Sequence, residues 1–152
     1  MAYTGAAPAL VHGWKEHGLR RVATIAADLV VAHVERPVAD LITYIPPDPA
    51  RQLQRGHHPA ERLARELGVR WSLESTRLLV RRRPGRRQTG LDRTERQANV
   101  RGTFAASRPV AGAVVLVDDV YTTGATAAAA AGALRAAGAS DVRVVTLART
   151  VR

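Results

Sequence analysis

The sequence predicts a doubly wound α/β fold, in which a mainly parallel sheet carries helices on both faces. Residues 114–117, Val-Val-Leu-Val, are four consecutive apolar residues, a pattern typical of a parallel strand that is buried on both faces. Strand and helix patterns also alternate along the chain, which favours parallel strands joined by crossover helices. At 152 residues, we expect a single domain over 1–152 with one core.

The N-terminal part, residues 1–37, is predicted to form a small helical segment ahead of the sheet. Apolar residues recur at helical spacing in two stretches between Ala6 and Arg36, and Gly18 separates the two stretches. Lys15, the only lysine in the chain, lies near the end of the first stretch. It either stabilises a helix C-terminus or contacts a ligand.

Short elements are predicted in the middle of the chain. Residues 41–45 have the composition of a strand, which Pro46 and Pro47 end. The further predicted elements are a helix over 60–67, bracketed by Pro59 and Gly68, and strands over 69–71 and 78–80.

Residues 81–104 form a long segment with little apolar content and many arginines. A loop of this length in a small domain is usually functional or disordered. Its like charges repel each other unless an anion gathers them, so we interpret the segment as a flexible flap that orders over an anionic ligand. The alternative is a solvated, arginine-rich hairpin. The arginines are Arg81, Arg82, Arg83, Arg86, Arg87, Arg93, Arg96 and Arg101.

Asp118 and Asp119 follow the apolar strand at the point where it is expected to end, and a Thr/Gly loop then runs into an Ala-rich helix over 125–137, stopped by Gly138. Open α/β sheets bind ligands at the carboxyl ends of their strands. A Gly/Thr loop that opens a helix offers backbone N–H groups to an anion, while the acids suit sugar hydroxyls or a metal. The alternative is that the Asp pair caps the helix and the threonines bond to nearby backbone. No Gly-Lys-Ser/Thr follows, which disfavours nucleoside triphosphate hydrolysis.

The formal net charge is +10, which predicts a polyanionic partner such as a polyphosphate or nucleic acid. Arginine suits this role because its planar fork donates two hydrogen bonds at once, although scattered arginines also serve as surface solubilisers. The chain has no cysteine, which excludes disulfides and thiolate zinc sites. No apolar run is long enough for a membrane span, and Met1 to Gly5 lack the layout of a secretory signal. We therefore expect a cytoplasmic protein.

Residues 114–126 resemble the phosphoribosyl-pyrophosphate signature of type I phosphoribosyltransferases. The resemblance implies their Rossmann-like fold, with the N-terminal helices as a small hood. It also implies that Asp118 and Asp119 contact the ribose 2′- and 3′-hydroxyls. The residues that it assigns to the 5′-phosphate are Thr122, Thr123, Gly124, Ala125 and Thr126.

The two arginine-bearing loops resemble those of the ComF family, phosphoribosyltransferase-like proteins associated with competence for DNA uptake. The matching residues are Pro46, Pro47, Arg51, Arg55 and Gly56 in the first loop, and Arg81, Arg83, Arg86, Gln88, Leu91, Arg96, Asn99 and Phe104 in the flap. His57, His58 and Pro59 depart from the family's usual Phe-Asn-Gln, and we expect a solvated histidine pair rather than a metal site. Many members begin with a cysteine-rich zinc ribbon, so this sequence is expected to be a short form or a trimmed one.

The resemblance implies an enzyme that binds phosphoribosyl pyrophosphate with Mg²⁺ and lets a nitrogen nucleophile displace pyrophosphate from ribose C1. Asp48, Arg51 and Arg55 would form the pyrophosphate loop, and the flap would contribute Arg81, Arg83, Arg86 and Gln88. Mg²⁺ would be held mainly by the ligand, with Asp118 and Asp119 assisting. The acceptor is an unidentified nucleobase or amine, and a homodimer is an open expectation. The alternative is a competence accessory that binds single-stranded DNA, or senses the ligand without turnover.

Overall fold

The computed structural model describes residues 20–47, 58–82 and 102–149. The elements in order are α1 (Arg20–His33), β1 (Leu41–Tyr44), α2 (Pro59–Trp71), β2 (Glu74–Ser75), β3 (Leu79–Arg81), β4 (Phe104–Ala106), β5 (Ala113–Tyr121), α3 (Ala125–Ala136) and β6 (Asp141–Arg149). The first predicted N-terminal helix and Lys15 lie outside the described residues. None of the helices in the described ranges combines the length and apolar character needed to cross a bilayer.

Four parallel strands form the sheet in the order β2-β1-β5-β6. β1 pairs with β5 from Leu41 opposite Val114 to Tyr44 opposite Val117. β6 follows β5 farther, as far as Tyr121. β5 is therefore a central strand that continues past the end of one neighbour while remaining paired with the other. The doubly wound α/β prediction is confirmed.

Two apolar clusters lie on opposite faces of the sheet. Val115 and Val117 pack with α1 and α2 on one face, while Val114 and Leu116 pack with α3 on the other. All four side chains are at most 1% exposed. Successive strand residues point to opposite faces, so the four-residue apolar run of the sequence follows from helices on both faces of β5.

β3 and β4 form an antiparallel pair outside the parallel sheet, with Leu79 opposite Ala106 and Arg81 opposite Phe104. Leu79 and Phe104 are buried in the α3 cluster, which holds this hairpin against that helix. The base of the predicted flap is thus a hairpin, while residues 83–101 lie outside the described part of the chain.

Helix α2 is longer than the sequence predicted, and the expected strand over 69–71 is wrong. Leu63, Leu67 and Trp71 are almost fully buried and recur every four residues, so the apolar stripe of the helix continues to its end. Val69, which a strand would have to pair, is 81% exposed. The helix ends at Ser72, whose φ of 53° places it in the left-handed region.

Two arginines connect the helical layer. The Arg70 guanidinium bonds to Asp28 on α1 at 2.8 Å and to Glu66 on α2 at 2.7 Å. The hydrogen bond to Glu66, followed by that to Asp28, raises the pKa of Arg70. Arg36 Nε donates to the Trp71 carbonyl oxygen at 2.6 Å, which satisfies one of the acceptors left at the end of α2.

Candidate functional site

The candidate site lies at the carboxyl edge of the sheet, where β1 ends and β5 continues. The Ile45 N–H donates to Val117 O at 3.0 Å, the last pairing of the β1 side with β5. Asp118 and Asp119 come next and are partly buried. The sequence predicts that the strand ends here, but β5 continues to Tyr121 because β6 still pairs with it. The two carboxylates therefore lie on the last part of β5, which pairs with β6 but no longer with β1.

The two carboxylates are fixed by their own backbone. Asp118 Oδ1 accepts from the Asp119 N–H at 2.9 Å, and Asp119 Oδ1 accepts from the Val120 N–H at 2.8 Å. Strict alternation would send adjacent side chains to opposite faces of the sheet. That alternation breaks here, because Val120 packs on the same cluster as Val117, three positions earlier. The pair thus occupies a local change in strand geometry at the edge.

The Thr/Gly loop leads from the carboxylates into α3. Gly124 is the N-cap residue of this helix and has a φ of 75°. A Cβ at this position would collide with the Tyr121 hydroxyl, so the loop geometry requires glycine. The first helical bond runs from the Ala128 N–H to Gly124 O at 2.8 Å, and the N–H groups before it have no intrahelical acceptor.

One half of the alternative from the sequence holds: the Ala125 N–H donates to Thr123 Oγ1 at 3.4 Å, so a threonine bonds to the backbone at the start of α3. The Oδ1 atoms of Asp118 and Asp119 accept from N–H groups of β5. The other N–H groups of the first turn lie at the positive end of a 12-residue helix dipole. Such a terminus is suited to a phosphate or another anion.

A cavity of about 640 Å³ opens beside this loop. Tyr121, Thr123 and Gly124 line one side of it, and Phe104 of the hairpin lines another. The surface of α3 that lines the cavity carries only alanine and glycine, and their small side chains leave the cavity volume unfilled. The Arg81 guanidinium carbon lies 4.7 Å from the centre of the Phe104 ring, so a cation stacks next to the cavity wall.

Tyr44, at the end of β1, and His58, at the start of α2, lie next to each other at the carboxyl edge of the sheet. His58 is the N-cap residue of α2, and its Nδ1 accepts from the Glu61 N–H at 3.2 Å. Its ring meets that of Tyr44 edge to face, with 5.1 Å between ring centres. Burial lowers the pKa of His58 despite the opposing effect of Glu61 and Asp119. Burial likewise raises the pKa of Tyr44, assisted by Glu61. The expectation of a solvated histidine pair is wrong for His58.

The carboxylates of Asp118 and Asp119 fit a magnesium ion that takes its other ligands from water and substrate phosphates. In the described ranges no three histidine or acidic side chains come together as a metal cluster. Carboxylate oxygens are nevertheless the ligands that Mg²⁺ prefers, and it commonly binds through one or two of them together with water and substrate phosphates. Asp118 and Asp119 provide that number.

Asp118 and Asp119 lie on the last part of β5 and the predicted phosphate loop follows that strand. Thr123, Gly124 and Ala125 of the loop line the cavity, while Asp118 and Asp119 are not among its lining residues. Arg81 lies at the hairpin, stacked on Phe104.

Sequence reasoning did not single out Tyr44 or Tyr121, and it interpreted His58 only as part of a solvated pair. His58 precedes a proline at the first helical position, which is an N-cap signal that was available. The predicted site residues outside the described part of the chain are Asp48, Arg51, Arg55, Arg83, Arg86 and Gln88.

Solved structures with the same fold are phosphoribosyltransferases and a related amidotransferase. Glutamine phosphoribosylpyrophosphate amidotransferase from B. subtilis superposes with a TM-score of 0.57 at 25% identity, over 82% of this chain and 26% of that one. Orotate phosphoribosyltransferase from Aeropyrum pernix gives 0.51 at 20% identity, over 88% and 74%. The chain therefore has the phosphoribosyltransferase fold.

Curated relatives give the family. The DNA utilization protein YhgH of Salmonella typhi is 32% identical over 98% of this chain and 70% of its own length. YhgH of Escherichia coli O6:H1 is 32% identical over 93% and 66%. No family model matches the chain. The chain belongs to the family of the DNA utilization protein YhgH.

Proposed function

We propose that this protein binds phosphoribosyl pyrophosphate with Mg²⁺ and transfers the phosphoribosyl group to a nitrogen acceptor, with release of pyrophosphate. One observation carries the proposal: a pair of carboxylates and a glycine-capped helix N-terminus adjoin at the carboxyl edge of the central strand. This combination suits a ligand that has both sugar hydroxyls and a terminal phosphate. The phosphoribosyltransferase fold and the resemblance of residues 114–126 to that enzyme class support the same ligand.

The roles follow from the chemistry of each group. The N–H groups at the start of α3 hold the 5′-phosphate, as helix N-termini do. Asp118 and Asp119 accept hydrogen bonds from the ribose hydroxyls. The bond from C1 to the pyrophosphate oxygen breaks as the bond from the acceptor nitrogen forms, and the negative carboxylates stabilise the positive charge that grows on the sugar.

Magnesium, when bound with the ligand, would offset the negative charge that accumulates on the departing pyrophosphate. Arg81, stacked on Phe104 beside the cavity, adds a positive charge on the α3 side of the sheet. The contacts of Asp48, Arg51, Arg55, Arg83, Arg86 and Gln88 with the ligand stay predictions from the ComF resemblance, which agrees with the family of the chain. Cytoplasmic location and homodimerisation also stay predictions.

The carboxylate roles are tested with the double variant Asp118→Asn/Asp119→Asn. Asparagine keeps the Oδ1 acceptor that each backbone N–H uses, so the fold is expected to persist. Losing two charge-assisted hydrogen bonds should weaken binding by about a hundredfold or more. The measurement is calorimetric titration of phosphoribosyl pyrophosphate with Mg²⁺, together with thermal denaturation.

Asp141→Asn is the matched control. Asp141 Oδ1 accepts from the next N–H, that of Val142, at 2.8 Å, but it lies at the amino end of β6, opposite Ala113. We expect its affinity for the ligand to equal that of the unchanged protein. Equal affinities for all three proteins would refute the assignment of Asp118 and Asp119.

Turnover is tested separately from binding. Pyrophosphate release is measured while purines, pyrimidines and amines are offered as acceptors with the same donor. Release that depends on one acceptor class would identify the substrate. Tight binding of the donor with no release for any acceptor would instead support a ligand sensor.

A second candidate function is that of a competence-type accessory that binds single-stranded DNA. Two observations favour it: the relatives are named DNA utilization proteins, and the net charge is +10. A cationic surface binds nucleic-acid phosphates without needing a sequence. In this function the sugar-phosphate site would act as a sensor of its ligand.

A further inference from the structure

β6 forms one edge of the sheet and is as long as the central strand β5, with nine residues in each. Within the described ranges it pairs with β5 alone. A long edge strand presents a row of N–H and C=O groups to which another strand can pair, and proteins usually shorten, charge or cover such an edge. Residues 144–148 of β6, Val-Val-Thr-Leu-Ala, carry no charge, so charge does not protect this part of the edge.

The hydrogen-bond ladder shows which groups of β6 point outward. Val117 O accepts from the Ile45 N–H on the β1 side of β5, so by alternation Leu116 directs its own N–H and C=O groups towards β6. Leu116 lies opposite Val144, and a parallel ladder joins a residue to the two residues that flank its opposite number. Those two have odd numbers. The N–H and C=O groups of the even-numbered residues of β6 therefore point away from the sheet.

The first of these outward positions is satisfied by side chains. The Val142 N–H donates to Asp141 Oδ1 at 2.8 Å, and Arg135 Nη2 donates to Val142 O at 3.5 Å. The outward groups of Val144 and Thr146 have no partner in the part of the chain that the structure describes. Backbone groups at such an edge bond to water or to another strand, so these two residues are available to an added strand.

Exposed apolar surface adjoins the same edge. Val144 is 40% exposed, and Val31 and Val34 of α1 are exposed to a similar extent. A cavity of about 180 Å³ lies between α1 and β6, with Leu29, Val34 and Thr146 among its lining residues. A chain that pairs with the edge would also remove this apolar surface from water.

We propose that β6 pairs with the β6 of a second copy of this chain in antiparallel orientation, which joins two sheets into one across a two-fold axis. Residues with outward groups must then lie opposite each other. A register centred on Val145 meets this condition, since it places Val144 opposite Thr146 of the partner subunit, twice by symmetry. The interface does not use the sugar-phosphate site, so this inference stands or falls separately from the proposed function.

The charges of β6 favour this register and this partner. Centred on Val145, the pairing places Asp141 opposite Arg149 of the partner subunit at both ends of the strand, and opposite charges across an antiparallel pair are stabilising. A centre at Thr146 would place Arg143 opposite Arg149 of the partner subunit, and like charges there are destabilising. The strand is therefore complementary to a second copy of itself, which favours a homodimer over an unrelated peptide.

The first test is sedimentation velocity of the unchanged protein and of Val144→Lys at the same concentration. We expect a dimer for the unchanged protein and a monomer for the variant, because symmetry makes the two lysines diagonal neighbours across the pair, roughly 7–8 Å apart. Val69→Lys, at an exposed valine of α2, adds the same charge away from β6 and should remain dimeric. Far-UV circular dichroism should be the same for all three. A monomeric unchanged protein, or a dimeric Val144→Lys, would overturn the proposal.

The register is tested by charge reversal. Asp141→Arg places like charges opposite each other at both ends, and we expect the dissociation constant of the dimer to rise about tenfold. The double variant Asp141→Arg/Arg149→Asp restores opposite charges and should recover the original constant. An equal loss in the single and double variants would contradict the pairing of these two positions.

A cysteine at the two-fold axis covers the case in which the lysine variant does not fold. The chain has no cysteine, and in the proposed dimer Val145→Cys faces its own copy. Antiparallel residues at such a non-hydrogen-bonded position have Cα atoms about 4.5 Å apart, which is within the range of roughly 4.4–6.8 Å that a disulfide spans. Mild oxidation should give a covalent dimer on a non-reducing gel, whereas Val69→Cys should remain a single chain. Failure of Val145→Cys to crosslink would refute the antiparallel pairing.

Discussion

Gly124 shows how a single residue couples the shape of the loop to its binding capacity. Its φ of 75° is accessible to glycine at little cost. The missing side chain also leaves room for the Tyr121 hydroxyl, which a Cβ would strike. Backbone N–H groups can approach a phosphate closely only where no side chain intervenes, so both properties serve the same purpose.

Gly124→Ala is expected to destabilise the fold by about 1–2 kcal/mol through its left-handed backbone, and to weaken ribose 5-phosphate binding by about tenfold or more. The binding loss follows because either the loop or Tyr121 must move to admit the methyl group. Denaturant unfolding and calorimetry measure the two effects. Gly112→Ala is the control: it has a similar φ of 79° and collides with the Asp40 side chain, but it precedes β5 at the amino edge. It should lose stability and keep its affinity. Equal affinity for Gly124→Ala would contradict the phosphate cradle.

At the scale of elements, α2 and α3 use glycine in opposite ways. Gly68 lies inside α2, where a Cβ would be 2.8 Å from the Leu73 carbonyl oxygen and close to Ile42. It lets the helix lie tightly against the turn that follows it and against β1. Gly132 lies inside α3, where a Cβ would meet nothing within 4 Å. One glycine is required by packing, while the other is not.

The matched substitutions Gly68→Ala and Gly132→Ala should therefore change stability in opposite directions. Alanine favours a helix interior by about 1 kcal/mol over glycine, and Gly132→Ala should gain up to that amount. Gly68→Ala should instead lose about 1–3 kcal/mol, because the obstructing atom is backbone and cannot rotate away. Urea unfolding of both variants gives the comparison. Stabilisation by Gly68→Ala would show that the close approach at Leu73 relaxes freely.

The same contrast explains which elements the sequence could predict. α3 was expected over 125–137 and spans Ala125–Ala136, and Gly138 has the left-handed φ of 109° expected of a helix stop. Gly68 was interpreted by the same rule and is not a stop, since its role depends on a tertiary contact. The two-residue β2 left no sequence pattern, because it exists through pairing with β1.

The residues of the candidate site also differ in whether the sequence could predict that they lie together. Asp118, Asp119 and the Thr/Gly loop are contiguous in sequence, so a single motif was enough to predict that they lie together. Tyr44 and His58 reach the same edge from β1 and α2, and their contact depends on how α2 packs on the sheet. Local patterns carry no information about such a contact.

At the scale of the whole molecule, the proposed ligand is a sugar with a phosphate at one end and a diphosphate at the other. The net charge of +10 is larger than such a ligand needs, and it also suits a longer polyanion. The two uses of this charge differ in their dependence on salt. Nucleic-acid binding through phosphate contacts releases counterions, while binding in a formed pocket also depends on specific hydrogen bonds.

We expect single-stranded DNA to bind with an affinity that falls by about a hundredfold between roughly 50 and 200 mM salt, as for about five phosphate contacts. Fluorescence anisotropy of a labelled oligonucleotide measures this dependence. The variant Asp118→Asn/Asp119→Asn should bind DNA at least as tightly as the unchanged protein, because it has lost two negative charges and the net charge of +10 has become more positive.

The same variant shows whether single-stranded DNA and phosphoribosyl pyrophosphate bind at the same surface or at different ones. If DNA occupies a surface of its own, phosphoribosyl pyrophosphate added at constant ionic strength should not displace it, and the variant's loss of sugar-phosphate binding should leave DNA affinity intact. Displacement of DNA by the sugar phosphate would place both at the carboxyl edge. DNA binding that does not respond to salt, or that the asparagine substitutions abolish, would contradict an electrostatic surface separate from the site.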